Sequence, residues 1–155
     1  MPGSALELKV PPLLVALIAA AGMYAASHMF PSLGTVFTGN LKGVAALSLV
    51  GASLVIAGVA AFRAHCTTVD PLRPARATTI VRTGIYRFSR NPMYLGFVLI
   101  LAAWAVLLNT VGALPGLPLF VIYMNRFQIR PEEQILAQRF GSDYLDYTRS
   151  VRRWL

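Results

Sequence analysis

Four apolar stretches, separated by polar and arginine-bearing segments, set the pattern of this chain. Val10–Phe30 holds no Asp, Glu, Lys or Arg. At ~1.5 Å per residue it is long enough to cross a hydrocarbon core of ~30 Å. Gly43–Phe62 is bracketed by Lys42 and Arg63, and its Ser53, Ala57 and Ala61 recur every four residues. That spacing predicts a small-residue face where a helix of the bundle, or of a second copy, approaches closely. Met93–Leu108 and about Leu114–Phe127 form the last two stretches, joined by Asn109-Thr-Val-Gly-Ala113. So short a polar, glycine-containing link predicts a tight antiparallel helical hairpin. Both members are slightly short for a full crossing, which predicts local bilayer thinning or a buried end. Pro115 and Pro118 then fall in the first turn of the fourth helix, where a missing amide donor matters least.

Composition supports lipid as the solvent. The 155 residues are 56% hydrophobic and 13% charged, with mean hydropathy +0.61. A soluble domain carries roughly 25% charged residues. The net charge of +8 does not point to nucleic acid, because the arginines lie between and after the apolar spans, where anionic headgroups meet them. The chain reads as one domain. The leader Met1–Lys9 balances Glu7 against Lys9 and the following apolar run is long, so a retained first helix is expected rather than a cleaved signal. Cys66 is alone, which excludes an internal disulfide. Two histidines, each near a span end, imply no metal centre. Residues 63–92 carry Arg63, Arg73, Arg76, Arg82, Arg87 and Arg90 against Asp70, and residues 126–155 carry six further arginines. The connections 31–41 and 109–113 carry no charge. The positive-inside rule therefore predicts cytoplasmic termini and a cytoplasmic 63–92 loop, a parity that four spans satisfy. The expected fold is an all-α integral membrane bundle of about four transmembrane helices. Residues 1–62 supply two spans. Residues 63–155 supply the loop, the hairpin and short C-terminal helices.

The loop and the segment after the fourth span carry the candidate chemistry. Thr67-Thr-Val-Asp-Pro71 with Pro74 reads as extended chain with turns. Tyr86, Arg87, Phe88, Arg90 and Tyr94 gather where the third helix begins. Asn91 is its expected N-cap and Pro92 its first residue, leaving amide donors that suit an anion. An aromatic–arginine belt at headgroup level is the alternative. After the fourth span, Arg130 precedes Pro131, which is expected to start a helix with Glu132 and Glu133 in its first turn. Gly141 ends that helix and Ser142 caps another, on which Tyr144 and Tyr147 share a face. Two amphipathic surface helices are the alternative there.

Thr83-Gly-Ile-Tyr86-Arg-Phe-Ser-Arg90-Asn91-Pro92-Met-Tyr94-Leu-Gly96 resembles the signature of the isoprenylcysteine carboxyl methyltransferase family, roughly glycine, any residue, tyrosine, then Arg-His-Pro-x-Tyr-x-Gly. Arg130-Pro-Glu132-Glu133, Phe140-Gly-x-x-Tyr144-x-x-Tyr147 and Val151-x-Arg153 resemble its C-terminal pattern. The resemblance covers about residues 63–155, and phospholipid N-methyltransferases share the same core. It implies S-adenosylmethionine as methyl donor, bound on the cytoplasmic side, and a lipid-linked or lipophilic acceptor. It implies that Tyr94 and Glu133 contact the cofactor, with Glu132, Asn91, Tyr86, Tyr144 and Tyr147 lining or closing the pocket. It implies that Arg90 and Arg130 hold the acceptor's carboxylate, the hairpin bringing the two together. Asn91 stands where the family has histidine, and asparagine can neither take a proton nor become a cation near neutral pH.

A carboxylate acceptor tolerates that change, since it is already ionised at pH 7 and needs no base. Alignment of carboxylate, methyl carbon and sulfur is then the enzyme's task. A phospholipid amine or a thiol is the alternative acceptor. A membrane reductase binding NADPH is disfavoured by Met93 before Tyr94 and Phe97 after Gly96. A non-enzymatic membrane scaffold would leave Arg90, Glu133 and Tyr94 replaceable. The expected location is a bacterial inner membrane, crossed several times.

Overall fold

The computed structural model of the protein describes residues 7–30, 34–35, 40–67 and 70–155. The leader before Glu7, most of the 31–41 connection and Thr68–Val69 lie outside them. Among the described residues every regular element is helical. α1 spans Pro12–Met29 and α2 spans Leu41–Ala64. α3 spans Pro92–Leu108 and α4 spans Gly116–Tyr123. α4 runs through a π-helical segment, Met124–Ile129, into α5, Arg130–Phe140. α6 spans Ser142–Ser150.

Among the described residues, α1 and α2 are the two helices long and apolar enough to cross a membrane, and α3 is a shorter apolar helix. Large apolar side chains stand outward on the first two: Leu17 is 58% exposed, Ile18 60%, Leu49 69% and Ile56 69%. A soluble core helix buries such a face; an outward apolar face of this kind is consistent with a membrane.

α3 is the centre of the packing, with contacts to α1, α2 and α4. The α2–α3 crossing is made at Gly51 and Gly96. A Cβ on Gly96 would stand 2.6 Å from the Gly51 carbonyl oxygen, and one on Gly51 would stand 2.7 Å from that of Gly96. Glycine on both sides lets the backbones touch, which is how helices associate where lipid tails remove the hydrophobic driving force. Gly51 and buried Gly58, seven residues apart, form the contact face, whereas Ser53 of the expected Ser53–Ala57–Ala61 stripe is exposed. On the other side α1 packs on α3 and α4 through Val15, Met23, Leu101, Ala105 and Phe120. Trp104 Nε1 donates to the Ala20 carbonyl at 3.0 Å.

The hairpin forms as expected. Asn109 ends α3 in the left-handed conformation (φ 49°), and the Thr110 hydroxyl accepts from the Gly112 amide. The end of α4 differs from expectation. Pro131 does not start a new helix; it sits inside a continuous one. Proline lacks an N–H and crowds the carbonyl four residues back, and the π-helical turn before it makes room. The Phe127 carbonyl, which Pro131 cannot satisfy, accepts from the Leu8 amide at 3.0 Å. Gly141 (φ 54°) closes α5 as expected. It is also the residue that caps α6, where Ser142 was expected to.

Candidate active site

The loop 70–90, the start of α3 and the helices α5 and α6 enclose a cavity of about 80 Å³ that opens to the surface. Tyr86, Arg90, Asn91, Tyr94, Glu132, Glu133, Tyr144 and Tyr147 all line it, with Phe62, Met93 and Leu136 among its apolar walls. Eight of the nine sequence-predicted site residues therefore meet in one place.

The loop is fixed by its own polar groups. The Thr78 amide donates to Thr67 Oγ1 at 3.0 Å, Gln128 Nε2 donates to the Pro71 carbonyl at 2.7 Å, and Arg139 donates to the Ala75 carbonyl at 2.7 Å. A short 3₁₀ turn at Gly84–Arg87 delivers Tyr86 inward, where its ring meets Phe62 edge-on at 5.3 Å. Tyr147 Oη donates to the Tyr86 carbonyl at 2.7 Å, tying α6 to that turn.

The two acids have different surroundings. Tyr94 Oη donates to Glu132 Oε2 at 3.1 Å, and Gln128 adds a second hydrogen bond to the same carboxyl. Burial pushes Glu132 up to about 7; the two hydrogen bonds lower it, and the charge of Glu133 raises it further. Among the described residues no cation forms an ion pair with it. Glu133 is held by two arginines. Arg90 Nη1 lies 3.1 Å from Oε1, while Arg153 forms a fork, Nε to Oε1 at 3.1 Å and Nη2 to Oε2 at 2.6 Å. That carboxylate raises the Arg153 pKa further. Burial lifts Tyr86 and Tyr144 well above the ordinary phenol range, and Tyr147 to about 12 against the lowering charges of Arg90 and Arg82. All three stay neutral donors at physiological pH.

Two donors in the cavity wall lack acceptors: Tyr86 Oη and Arg90 Nε are both buried without a hydrogen-bond partner. Burying a donor unpaired costs about 1–3 kcal/mol, so these groups suit a ligand bearing acceptor atoms. S-adenosylmethionine fits such a lining. Its ammonium calls for a carboxylate without a cation, which Glu132 offers. Its carboxylate, or that of an acceptor, calls for the unpaired donors.

Two expectations need correction. Arg130 does not converge with Arg90. It is exposed and absent from the cavity lining, because it shares the outward face of α5 with exposed Gln134 and Gln138, four and eight residues on. The second guanidinium at the site is that of Arg153. Asn91 holds the N-cap position of α3 without a capping bond; its Nδ2 donates instead to the Arg153 carbonyl at 2.9 Å. Just ahead of α3, the Arg90 amide donates to the Arg152 carbonyl at 3.0 Å and the Asn91 amide to Ser89 Oγ at 3.1 Å. His65 lies outside the cavity lining. It donates from Nδ1 to the Ala61 carbonyl at 2.8 Å, leaving Nε2 to accept from Thr83 at 3.3 Å. Gln128 carried a readable signal that was passed over, its i, i+4 spacing to Glu132. Arg153 matched a pattern but had no role assigned to it.

A helical frame with apolar faces turned outward, carrying a polar pocket at the same end of α3, α5 and α6, defines a class of membrane enzyme. The phospholipid methyltransferase family model matches residues 41–143, and the chain belongs to that family. Similar proteins include an uncharacterized protein of Haemophilus influenzae, 44% identical over 63 residues, which cover 41% of this chain and all of that one. Protein-S-isoprenylcysteine O-methyltransferase of Rattus norvegicus is 30% identical over 129 residues, 77% of this chain and 45% of the relative. The enzyme of the same name from Saccharomyces cerevisiae is 35% identical over 80 residues, 46% of this chain and 30% of the relative. The chain thus spans less than half the length of these two named relatives. No solved structure matches it.

Proposed function

We propose that the protein is a single-domain integral membrane methyltransferase that uses S-adenosylmethionine to methylate a lipophilic acceptor, with a carboxylate of isoprenylcysteine type as the favoured group. In this reading it crosses a bacterial inner membrane four times, α4 with the π-helical turn forming the last crossing, and keeps both termini and the pocket on the cytoplasmic side. The observation that carries the proposal is the pair of buried donors without a hydrogen-bond partner, Tyr86 Oη and Arg90 Nε, in the same cavity lining as Glu132, which forms no ion pair among the described residues.

When bound, S-adenosylmethionine supplies an electrophilic methyl group on a sulfonium leaving group. Glu132, oriented by Tyr94 and Gln128, takes the cofactor's ammonium; Glu133 is already neutralised by two guanidiniums and organises them instead. Tyr144 and Tyr147 wall the pocket. Tyr86 and Arg90 donate to one oxygen of the acceptor carboxylate and leave the other free to attack. Arg130, exposed where the helix leaves its apolar part, meets the acceptor outside the cavity. No proton has to be removed, which accords with Asn91 in place of a titratable histidine.

One observation favours a second acceptor class. A carboxyl raised to about 7 can receive the proton that an ammonium must lose before methylation, which suits a phospholipid amine. Isothermal titration of the detergent-purified protein with S-adenosylmethionine, its demethylated product and NADPH tests the proposal. Binding of the first two but not NADPH is expected. Binding of NADPH alone would establish a reductase, and binding of none a scaffold.

A further inference from the structure

The segment after α6 is not a loose end. Val151 is buried against the Tyr144–Tyr147 cluster. Beyond it the backbone runs alongside the start of α3, where the Arg152 and Arg153 carbonyls accept from the Arg90 amide at 3.0 Å and from Asn91 Nδ2 at 2.9 Å. Trp154 Nε1 then donates to Asn125 Oδ1 at 3.2 Å, inside the π-helical turn. One short strap joins α3, the π-helical turn and α6, and from its middle Arg153 reaches Glu133.

We propose that Arg153 is a positioning residue that acts through Glu133 to hold the Arg90 guanidinium at the pocket, the strap and Asn91 keeping it in place. The proposal rests on reading the cavity as the methyl-transfer site. Glu133 has about four lone-pair sites; the Arg153 fork fills two, and Arg90 Nη1 stands 3.1 Å from Oε1 as an ion pair. A fork fixes the carboxylate plane as well as its charge, so Arg90 meets an acceptor that cannot rotate away. Arg90 is only 13% exposed, and its Nε is left unpaired. It is therefore anchored at one edge and free at another, the state of a group held ready for a ligand. At the Glu133 cluster alone, two guanidiniums and one carboxylate leave a net charge of +1, which suits an anionic group of the acceptor or the cofactor on that side, while Glu132 supplies the negative charge elsewhere in the lining. This also gives Asn91 a task that histidine is not needed for, since its amide holds the strap.

The test uses the full chain in detergent, with methyl transfer measured on an accepted substrate beside cofactor binding. Arg153→Ala is expected to lower kcat at least tenfold while the dissociation constant for S-adenosylmethionine moves less than threefold. Arg153 is 33% exposed at its side chain, so added guanidinium can enter the vacated place. Millimolar guanidine hydrochloride should restore turnover to the variant where sodium chloride at equal ionic strength does not. A residue that merely supports the fold would give no such rescue. Unchanged turnover, or a loss that guanidinium does not restore, overturns the proposal. If the wild-type chain transfers methyl to no acceptor, the functional reading falls, and thermal unfolding of Arg153→Ala, Glu133→Gln and the double variant decides the positioning claim. A double variant no less stable than the worse single one supports it; additive losses overturn it.

Discussion

Replacing Glu132 with glutamine should weaken S-adenosylmethionine binding and flatten its pH dependence. The substitution keeps the shape and leaves an oxygen for the Tyr94 hydroxyl, now 3.1 Å from Glu132 Oε2, so packing is preserved while the charge is lost. A hydrogen bond to a charged group contributes about 1.5–3 kcal/mol, which predicts an affinity about tenfold to a hundredfold weaker at pH 7.5. In the wild type the carboxyl titrates near 7 because burial disfavours its charge. Lowering the pH from 7 to 5.5 should therefore weaken binding by about tenfold as Glu132 is neutralised, and the variant should lose that slope. The ligand-free protein carries the opposite signature. Glu132 has a folded pKa raised from 4.5 to about 7, so its contribution to stability is complete below pH 4.5 and is lost as pH rises through 7. The loss is up to about 3 kcal/mol at ~1.4 kcal/mol per pKa unit, less whatever water in the pocket restores. Calorimetric titration across pH 5.5–7.5 measures the first effect and thermal unfolding the second. A glutamine variant with wild-type affinity and an unaltered pH profile would refute the placement of the ammonium at Glu132.

Three further outcomes follow from the geometry. Arg90→Lys keeps the charge but loses the planar donor edge, so turnover should fall at least tenfold, about 1.4 kcal/mol in the barrier, with cofactor affinity nearly unchanged; a steady-state assay giving wild-type kcat would contradict it. Gly96→Val places atoms 2.6 Å from the Gly51 carbonyl oxygen and 2.8 Å from Val55 Cγ2, and overpacking of this kind costs about 1–3 kcal/mol, to be read as a lowered unfolding temperature in detergent. Val111→Cys, in a Cys66→Ser background, should react with an impermeant thiol reagent in intact cells, because Val111 is 39% exposed in the hairpin turn, which the proposed topology puts on the side away from the 63–92 loop; labelling only after lysis would remove the four-span topology.

The apolar pattern located α1, α2 and α3 to within a few residues and placed the start of α4 two residues early, since no turn interrupts these continuous runs; it did not show the helix continuing to Phe140. The hairpin was equally legible, because Asn109 and Gly112 are turn-forming types. What escaped the sequence was azimuth. The close face of α2 is set by where α3 crosses, at Gly51 and Gly58, and the Ser53 stripe looked as plausible by spacing alone. Arg130 and Glu133 are three apart and would share a face of a regular α-helix, yet the wall of the cavity takes Glu133 and excludes Arg130. Pro131 announces a helix start in any local reading; only the Leu8 amide at Phe127 and the π-helical turn let the helix continue through it. The grip of Asn91 on Arg153 joins positions 62 residues apart, and no local pattern encodes it.

Transfer of a radiolabelled methyl group from S-adenosylmethionine, in proteoliposomes supplied with a panel of lipid-linked carboxylates, amines and thiols, tests the central claim most directly. The expected result is label in the organic phase that base releases as volatile methanol, the mark of a methyl ester, and that disappears in Glu132→Gln and Arg90→Lys. Base-stable label would assign the methyl to an amine or thiol and overturn the carboxylate choice. No transfer to any acceptor, from protein shown to be folded and inserted, would contradict the assignment of the pocket to methyl transfer.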